Sequence, residues 1–249
     1  MLMISVRMSE LIPKAAHFET YTGRVVRVVE AQHKISTSRL ADGLLEEEIL
    51  EQYAESAKPP FPASVKHLHR LLATPFRFGY WKETRFRRAY ERPGIFYASE
   101  YRRTALAEQA YWFMRFHAGS RSPRLPASTI EYWSYTIAIQ AERSLDLMSP
   151  PFDMARDHWV DPNQYIYCQQ FAGRARTIDA QLVRYESARD HKMGANIALF
   201  DPSSFKESVP KDDSSWRFRF RGSSLLVLPA FPSDNRYEFS FEQFGLKAP

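Results

Sequence analysis

Residues 94–113, GIFYASEYRRTALAEQAYWF, constrain the fold more tightly than any other stretch. A glycine opens a short apolar run of strand length, and helical spacing follows directly. One face of that helix is Leu106, Ala107, Ala110, Phe113 and Met114. Nearly opposite lie Tyr101, Ala105, Trp112 and Phe116. A helix apolar on two sides is expected to be buried from two sides, so other elements must cover both. Glu108 sits on the second side, one turn from Ala105 and from Trp112. An ionised carboxylate buried alone is costly. Its partner is either an internal arginine or a cationic or hydroxyl-bearing ligand in a partly apolar pocket.

The rest of the chain supplies the covering elements. GRVVRVVEA (23–31), PGIFYAS (93–99), TIEYWSYTIAIQA (129–141), AQLVRYES (180–187) and ANIALFD (195–201) read as strands. SLDL (144–147) reads as a segment that pairs beside the third. The tail, SSWRFRFRGSSLLVLPA and NRYEFSF, reads as β-rich with a hairpin at Gly222. Helices are predicted over 42–57, with an acidic outer face, over 64–75 with Ser64 as N-cap, over 101–116 and over 162–177. Residues 119–128 read as a loop and PPFD as a turn. Strands neither alternate strictly with helices nor segregate from them. The expected fold is therefore one α+β domain with a mixed or antiparallel sheet.

Bulk properties narrow the function classes. The chain has 249 residues, 44% hydrophobic and 25% charged, a size and balance that suit one large domain with an ordinary core. A single cysteine, Cys168, excludes an internal disulfide and any multi-cysteine zinc site, and reads as a buried small hydrophobe. No run of 18 apolar residues offers a membrane span. The first 20 residues are broken by Arg7, Glu10 and Lys14, unlike a secretory leader. A cytoplasmic address follows as an expectation. The nine glycines never fall into G-x-G-x-x-G or a Walker spacing, and neither H-E-x-x-H nor G-x-S-x-G occurs. His67 and His69 point to different sides of a helix, which suits surface or capping roles better than a metal pair.

Net charge is +5 and the pI about 9.3, with the densest basic patch at KETRFRRAYERPG, 82–94. Arg85 and Arg87 alternate about Phe86, so on a strand both face one side. That face is either solvated or fitted to bind a phosphate or pyrophosphate. Tyr97 ends the next strand, as core or as a flat face for an aromatic ring. Ser99 is placed to cap the following helix. In YESARD, 185–190, Ser187 ends a strand, as a turn former or a ligand-binding hydroxyl.

Taken together, LHRLLATPFRF, TRFRR, PGIFYASEYRRTALAEQAYW, YESARD and NIALFDP resemble the RES-domain family, in that family's order and spacing. The resemblance runs from about Val25 to Phe205. The arginine, glutamate and serine that name the family fall on Arg85, Glu108 and Ser187, and its accompanying tyrosine on Tyr97. Thr84 and Phe86-Arg87 stand where members often carry Gly and Trp-Asn. The resemblance implies a single domain over 1–249, with a core of about 24–206, an extension at 1–23 and a β-rich tail at 207–249. It further implies a split sheet with flanking helices, similar to ADP-ribosyltransferases.

By the same resemblance the expected activity is that of a toxin of a toxin–antitoxin pair. It would cleave NAD at the nicotinamide–ribose bond without a metal and pass ADP-ribose to phosphate or water. Arg85, Arg87, Tyr97, Ser99, Glu108 and Ser187 would bind NAD. Of these, Arg85, Tyr97, Glu108 and Ser187 would carry the chemistry. The expected partner is an Xre-like antitoxin that covers the site. Nucleic acid would be reached only through that antitoxin, and a homo-oligomer is allowed. Three alternatives remain open: ADP-ribosylation of a protein, a nucleic-acid-binding module built on 82–92, and a non-catalytic interaction protein.

Overall fold

The computed structural model describes residues 11–31, 43–120, 125–230 and 235–249. The first ten residues of the segment read as unlike a leader, Asp42 at the head of the first predicted helix, and 121–124 of the predicted loop lie outside them.

Eight strands form one mixed sheet, and the helices flank it. They are β1 (Glu19–Glu30), β2 (Phe96–Ser99), β3 (Ile130–Asp146), β4 (Leu182–Glu186), β5 (Ala195–Leu199), β6 (Lys211–Arg221), β7 (Ser224–Pro229) and β8 (Tyr237–Ser240). The α-helices are α1 (Leu44–Ser56), α2 (Arg70–Arg77), α3 (Arg102–Ala118), α4 (Arg156–Trp159) and α5 (Ile166–Thr177). The 17-residue β3 organises the sheet. It runs antiparallel to β1 along most of its length and to β6 over Ile130–Thr136, then parallel to β4 over Ser144–Asp146. SLDL therefore continues β3 rather than pairing beside it. Beyond β4 come β5 and β2, and β2 returns to β1 through one residue pair, Val26 with Ser99. The sheet is thus split at the β1/β2 seam, where a single pairing leaves the two strands free to diverge.

Three apolar clusters hold these layers. α3 lays Leu106, Ala107, Ala110 and Met114 against β1, β3 and the β6–β8 ribbon. Leu106 and Met114 are fully buried, each contributing about 1.5–3 kcal/mol. α5 packs Phe171, Ala172 and Ala175 beneath β4, with Trp159 and Phe86. α2 fills the third cluster with Leu72 and Phe76. The expectation that α3 is buried from both sides fails: Tyr101, Trp112 and Phe116 are exposed, at 63%, 45% and 74%.

Two further sequence readings are corrected. The second helix starts at Arg70, capped by His69 rather than Ser64, and runs through Pro75 to Arg77. Proline lacks the N–H that would bond Leu71 O. The Tyr135 hydroxyl donates to that carbonyl instead, at 3.2 Å, so the helix need not end there. PPFD is not a simple turn either; a 3-10 turn at Phe152–Ala155 leads into α4. The predicted hairpin forms, with Gly222 at φ 57° joining β6 and β7.

Candidate active site

Glu108 projects from the middle of α3 toward the β1/β2 seam, half-buried. Its Oε1 accepts from Ser187 Oγ at 2.6 Å and from Asn196 Nδ2 at 2.7 Å. Both donors are neutral. Among the described residues no Lys, Arg or His forms a salt bridge with it, so the internal Glu–Arg pair is not what balances this carboxylate. Oε2 takes no hydrogen bond from the described residues and is the oxygen left for a ligand.

Each donor is itself fixed. Asn196, buried on β5, receives Ser99 Oγ on its Oδ1 at 2.6 Å, which orients the amide so that its N–H₂ meets Glu108. Ser187 Oγ accepts from the backbone N–H of Arg189 and of Asp190, both at 3.1 Å. It is a turn former and a donor to Glu108 at once. The loop it opens is clamped to the first turn of α3, where Thr104 Oγ1 and Arg103 Nη2 both donate to Asp190 Oδ2 at 2.7 Å. Gly194 is required there, because a Cβ would lie 2.0 Å from Thr104 Oγ1.

TRFRR is not a strand. Thr84 and Arg87 close a tight turn through a bridge, and the two arginines separate. Arg87 is 2% exposed and donates to the carbonyls of Tyr80, Lys82 and Arg88. It holds its own loop and does not line the cavity described below, which corrects its place among the binding residues. Arg85 goes the other way. Its Nη1 donates to the carbonyls of Trp159 and Asp161 at 2.6 and 3.0 Å, and the guanidinium lies 4.9 Å over the Tyr165 ring.

Burial works against the charge of Arg85, yet Cys168, Tyr185 and Glu108 turn its pKa upward. Of those three, burial pushes the Cys168 thiol up to about 11 and the Tyr185 phenol well above its usual range.

Tyr97 presents its ring to the cavity and buries its hydroxyl, which burial pushes up to about 12. That hydroxyl meets Thr84 Oγ1 at 2.8 Å and accepts from Phe86 N at 3.2 Å. Ser99 does not cap α3. It ends β2, bonded to Asn196, while Tyr101 holds the N-cap position without a side-chain bond.

The cavity at the seam holds about 240 Å³. Arg85, Tyr97, Ser99 and Glu108 line it, and Ser187 stands one hydrogen bond behind Glu108. Residues not singled out in the sequence also line it, among them Arg27, Tyr165, Tyr185, Arg189 and Asn196. Arg27 donates to Tyr97 O at 3.0 Å; Arg189 donates to Pro162 O at 2.8 Å and lies 3.5 Å over the Tyr111 ring. Among the described residues none of these three arginines forms a salt bridge. The wall thus carries three cations held by neutral groups, one carboxylate and four aromatic residues, Tyr97, Trp112, Tyr165 and Tyr185. That suits an anionic ligand with a flat ring and a centre that gains positive charge.

Residues 62–221, nearly two thirds of the chain, match the RES domain. The chain belongs to the RES-domain family. The match spans Arg85, Tyr97, Glu108, Ser187 and Asn196. Arg27 lies outside it, brought to the RES cavity by the pairing of β1 with β3. No curated protein matches the chain in sequence. Among solved structures, the chain is similar to one in the crystal structure of the M. tuberculosis MbcT-MbcA toxin-antitoxin complex. The identity is 13% over 80% of this chain and 86% of that one, with a TM-score of 0.45, too distant to carry an argument.

Asn196 had a signal in the sequence that went unread. It is the one polar residue in ANIAL, and every residue of that strand is buried. An amide in such a strand needs partners. Arg27 had no comparable mark, since an arginine in a two-faced strand is ordinary. Among the described residues no group of three or more His, Cys, Asp or Glu could hold a metal ion, and no helix is long and apolar enough to cross a membrane.

Proposed function

We propose that this RES-domain chain is the toxin of a toxin–antitoxin pair and that it breaks the nicotinamide–ribose bond of NAD. The supporting observation is the pairing, in one cavity, of a carboxylate held by two neutral donors with three arginines free of carboxylates. The pyrophosphate takes the guanidinium charge that no carboxylate consumes. The nicotinamide lies against Tyr97 or Tyr185. As the glycosidic bond breaks, its electron pair leaves with the nicotinamide nitrogen, which loses its positive charge, and the ribose becomes oxocarbenium-like. Glu108 Oε2 stabilises that developing charge and holds a ribose hydroxyl. An oxygen of phosphate or of water then bonds to the ribose carbon; with water, a proton is released. Ser187, Ser99 and Asn196 act through Glu108 as positioning residues. An Xre-like antitoxin is the expected inhibitor, covering the cavity.

A protein acceptor is the second reading. It is favoured by Trp112, which lines the cavity and is nearly half exposed, and by Phe116 one turn beyond. The nucleic-acid reading loses part of its basis, because Arg87 is buried against backbone carbonyls and Arg85 lines the cavity. The deciding experiment is purified protein with NAD, with and without phosphate, analysed for products. Nicotinamide released with ADP-ribose or its phosphate ester supports the first reading. Nicotinamide released only when a protein acceptor is present supports the second. Intact NAD under all three conditions overturns both.

A further inference from the structure

We propose that Trp112 is the platform on which the adenine ring of the dinucleotide stacks, so that the open end of the cavity along α3 sets which ligands it prefers. The inference rests on the reading that NAD occupies this cavity. NAD carries two flat rings, and the wall has four aromatic residues. Three of them are enclosed or already covered. Tyr165 carries the Arg85 guanidinium at 4.9 Å. Tyr185 is 6% exposed and packs edge-on against Phe86. Tyr97 has its hydroxyl buried on Thr84 Oγ1 and Phe86 N. Tyr97 and Tyr185 therefore suit the ring that is released deep in the seam. Trp112 is the exposed one, at 45%. A second flat ring laid on it would take apolar surface out of water.

The indole is held, not loose. The Arg115 guanidinium lies 5.3 Å over its ring, and Arg115 Nη1 donates to Tyr111 Oη at 2.9 Å. The Tyr111 ring in turn meets the indole in an edge contact at 5.2 Å. A platform fixed before binding loses little side-chain freedom when a ring stacks on it.

Its position matches the order of groups in the dinucleotide. Glu108 and Trp112 share one face of α3, four residues and about 6 Å apart along the axis. Arg189, in the same wall, lies 3.5 Å over the Tyr111 ring, so a cation stands beside the platform with that ring between them. An extended ligand would set its scissile ribose at Glu108, its pyrophosphate at Arg189 and its adenine on Trp112. Phe116, one turn further along α3 and 74% exposed, does not line the cavity and serves as the control.

The test is calorimetry of the full chain with ADP-ribose, on wild type, Trp112→Ala, Trp112→Phe and Phe116→Ala, with folding checked by thermal melting. Loss of one stacked base should weaken ADP-ribose binding about tenfold in Trp112→Ala. Trp112→Phe keeps a flat ring and should recover most of the affinity. Phe116→Ala should bind as the wild type does. With NAD as substrate, Trp112→Ala should raise KM about tenfold and change kcat little, because a platform remote from the breaking bond serves ground state and transition state alike. Equal ADP-ribose affinity in wild type and Trp112→Ala overturns the proposal and leaves the indole to a protein acceptor. So does a wild type that fails to bind ADP-ribose at millimolar concentration, a loss in Phe116→Ala as large as in Trp112→Ala, or a fall in kcat at constant KM. Intact NAD beside ADP-ribose binding that depends on Trp112 overturns the cleavage reading and upholds the platform.

Discussion

Outside the cavity, Arg87 and Arg143 meet backbone carbonyls, but several partly buried arginines meet carboxylates. Arg184 lies between Glu100 and Asp146, and Arg102 grips Asp213. These pairs cross the fold: Arg184 ties β4 to the end of β2 and the end of β3, and Arg102 ties the head of α3 to β6. At the cavity, Arg27, Arg85 and Arg189 meet backbone carbonyls and aromatic rings instead. A carbonyl orients a guanidinium without cancelling its charge; a carboxylate does both. On the proposed function, Arg27, Arg85 and Arg189 are cations kept for a ligand, whereas Arg102 and Arg184 hold the structure. The carboxylates divide in the same way. Asp213 is held below its usual range despite burial, because Arg102 and Ser134 bond it. Glu108 takes two neutral donors and no cation.

The sharpest break of that contrast is Glu108→Gln. The side chains are nearly isosteric, so packing beside Ala105 and Trp112 survives. Had Glu108 balanced an arginine, its loss would cost about 3–5 kcal/mol. With neutral donors only, melting should change little. NAD turnover should fall roughly 10²-fold or more, and NAD affinity far less. A folded Glu108→Gln protein with near wild-type turnover would falsify the role assigned to this residue.

The two arginine populations should respond in opposite ways. Arg85→Ala should lower kcat/KM for NAD about 10–10²-fold, with only a modest change in melting. Arg184→Ala removes the cation shared by Glu100 and Asp146, both mostly buried, and should cost about 1–3 kcal/mol. Its turnover per folded molecule should stay near wild type. Equal losses of activity in the two variants would erase the distinction. A gentler probe is Asn196→Ala, which leaves Ser187 as the single donor to Glu108 Oε1. Turnover should drop about tenfold, the scale of one lost preorganising hydrogen bond, with KM nearly constant. A change in KM alone would reassign Asn196 to binding.

The same contrast shows what the sequence could disclose. Alternation in TIEYWSYTIAIQA and the Gly222 turn were readable because each depends on a few neighbouring residues. Burial of Leu106, Ala107, Ala110 and Met114 followed from helical spacing. Arg85 and Arg87 were not separable, because a five-residue alternation cannot tell a strand from a turn closed by its own bridge. Their divergence depends on Trp159 and Asp161, more than seventy residues away. The second side of α3 misled for a related reason. Trp112 and Phe116 are apolar enough to be core, but whether anything covers them is a property of the whole fold. Ser99 lies two positions before the N-cap, and its hydroxyl goes to Asn196 across the β2/β5 pairing, a contact no local motif encodes.

The smallest effect is expected at the most exposed of these pairs. Glu207 receives Arg24 and Lys211, and the bond from Arg24, then that from Lys211, holds its carboxyl at about 2. The pair ties β1 to the segment ahead of β6, far from any charge assigned to chemistry. A carboxyl depressed in the folded state contributes stability above its unfolded pKa of about 4.3. That contribution is lost as pH falls through the folded value. Solvent screens the pair, so the gain is small. Melting of wild type should exceed that of Glu207→Gln by about 1 °C near neutral pH. The gap should close as pH falls from about 5 to about 2, and high salt at neutral pH should narrow it. NAD turnover should be unchanged at every pH where both proteins are folded. A gap that widens on acidification would reverse the sign of the linkage, and a loss of turnover would show that the cations outside the cavity are not confined to holding the fold.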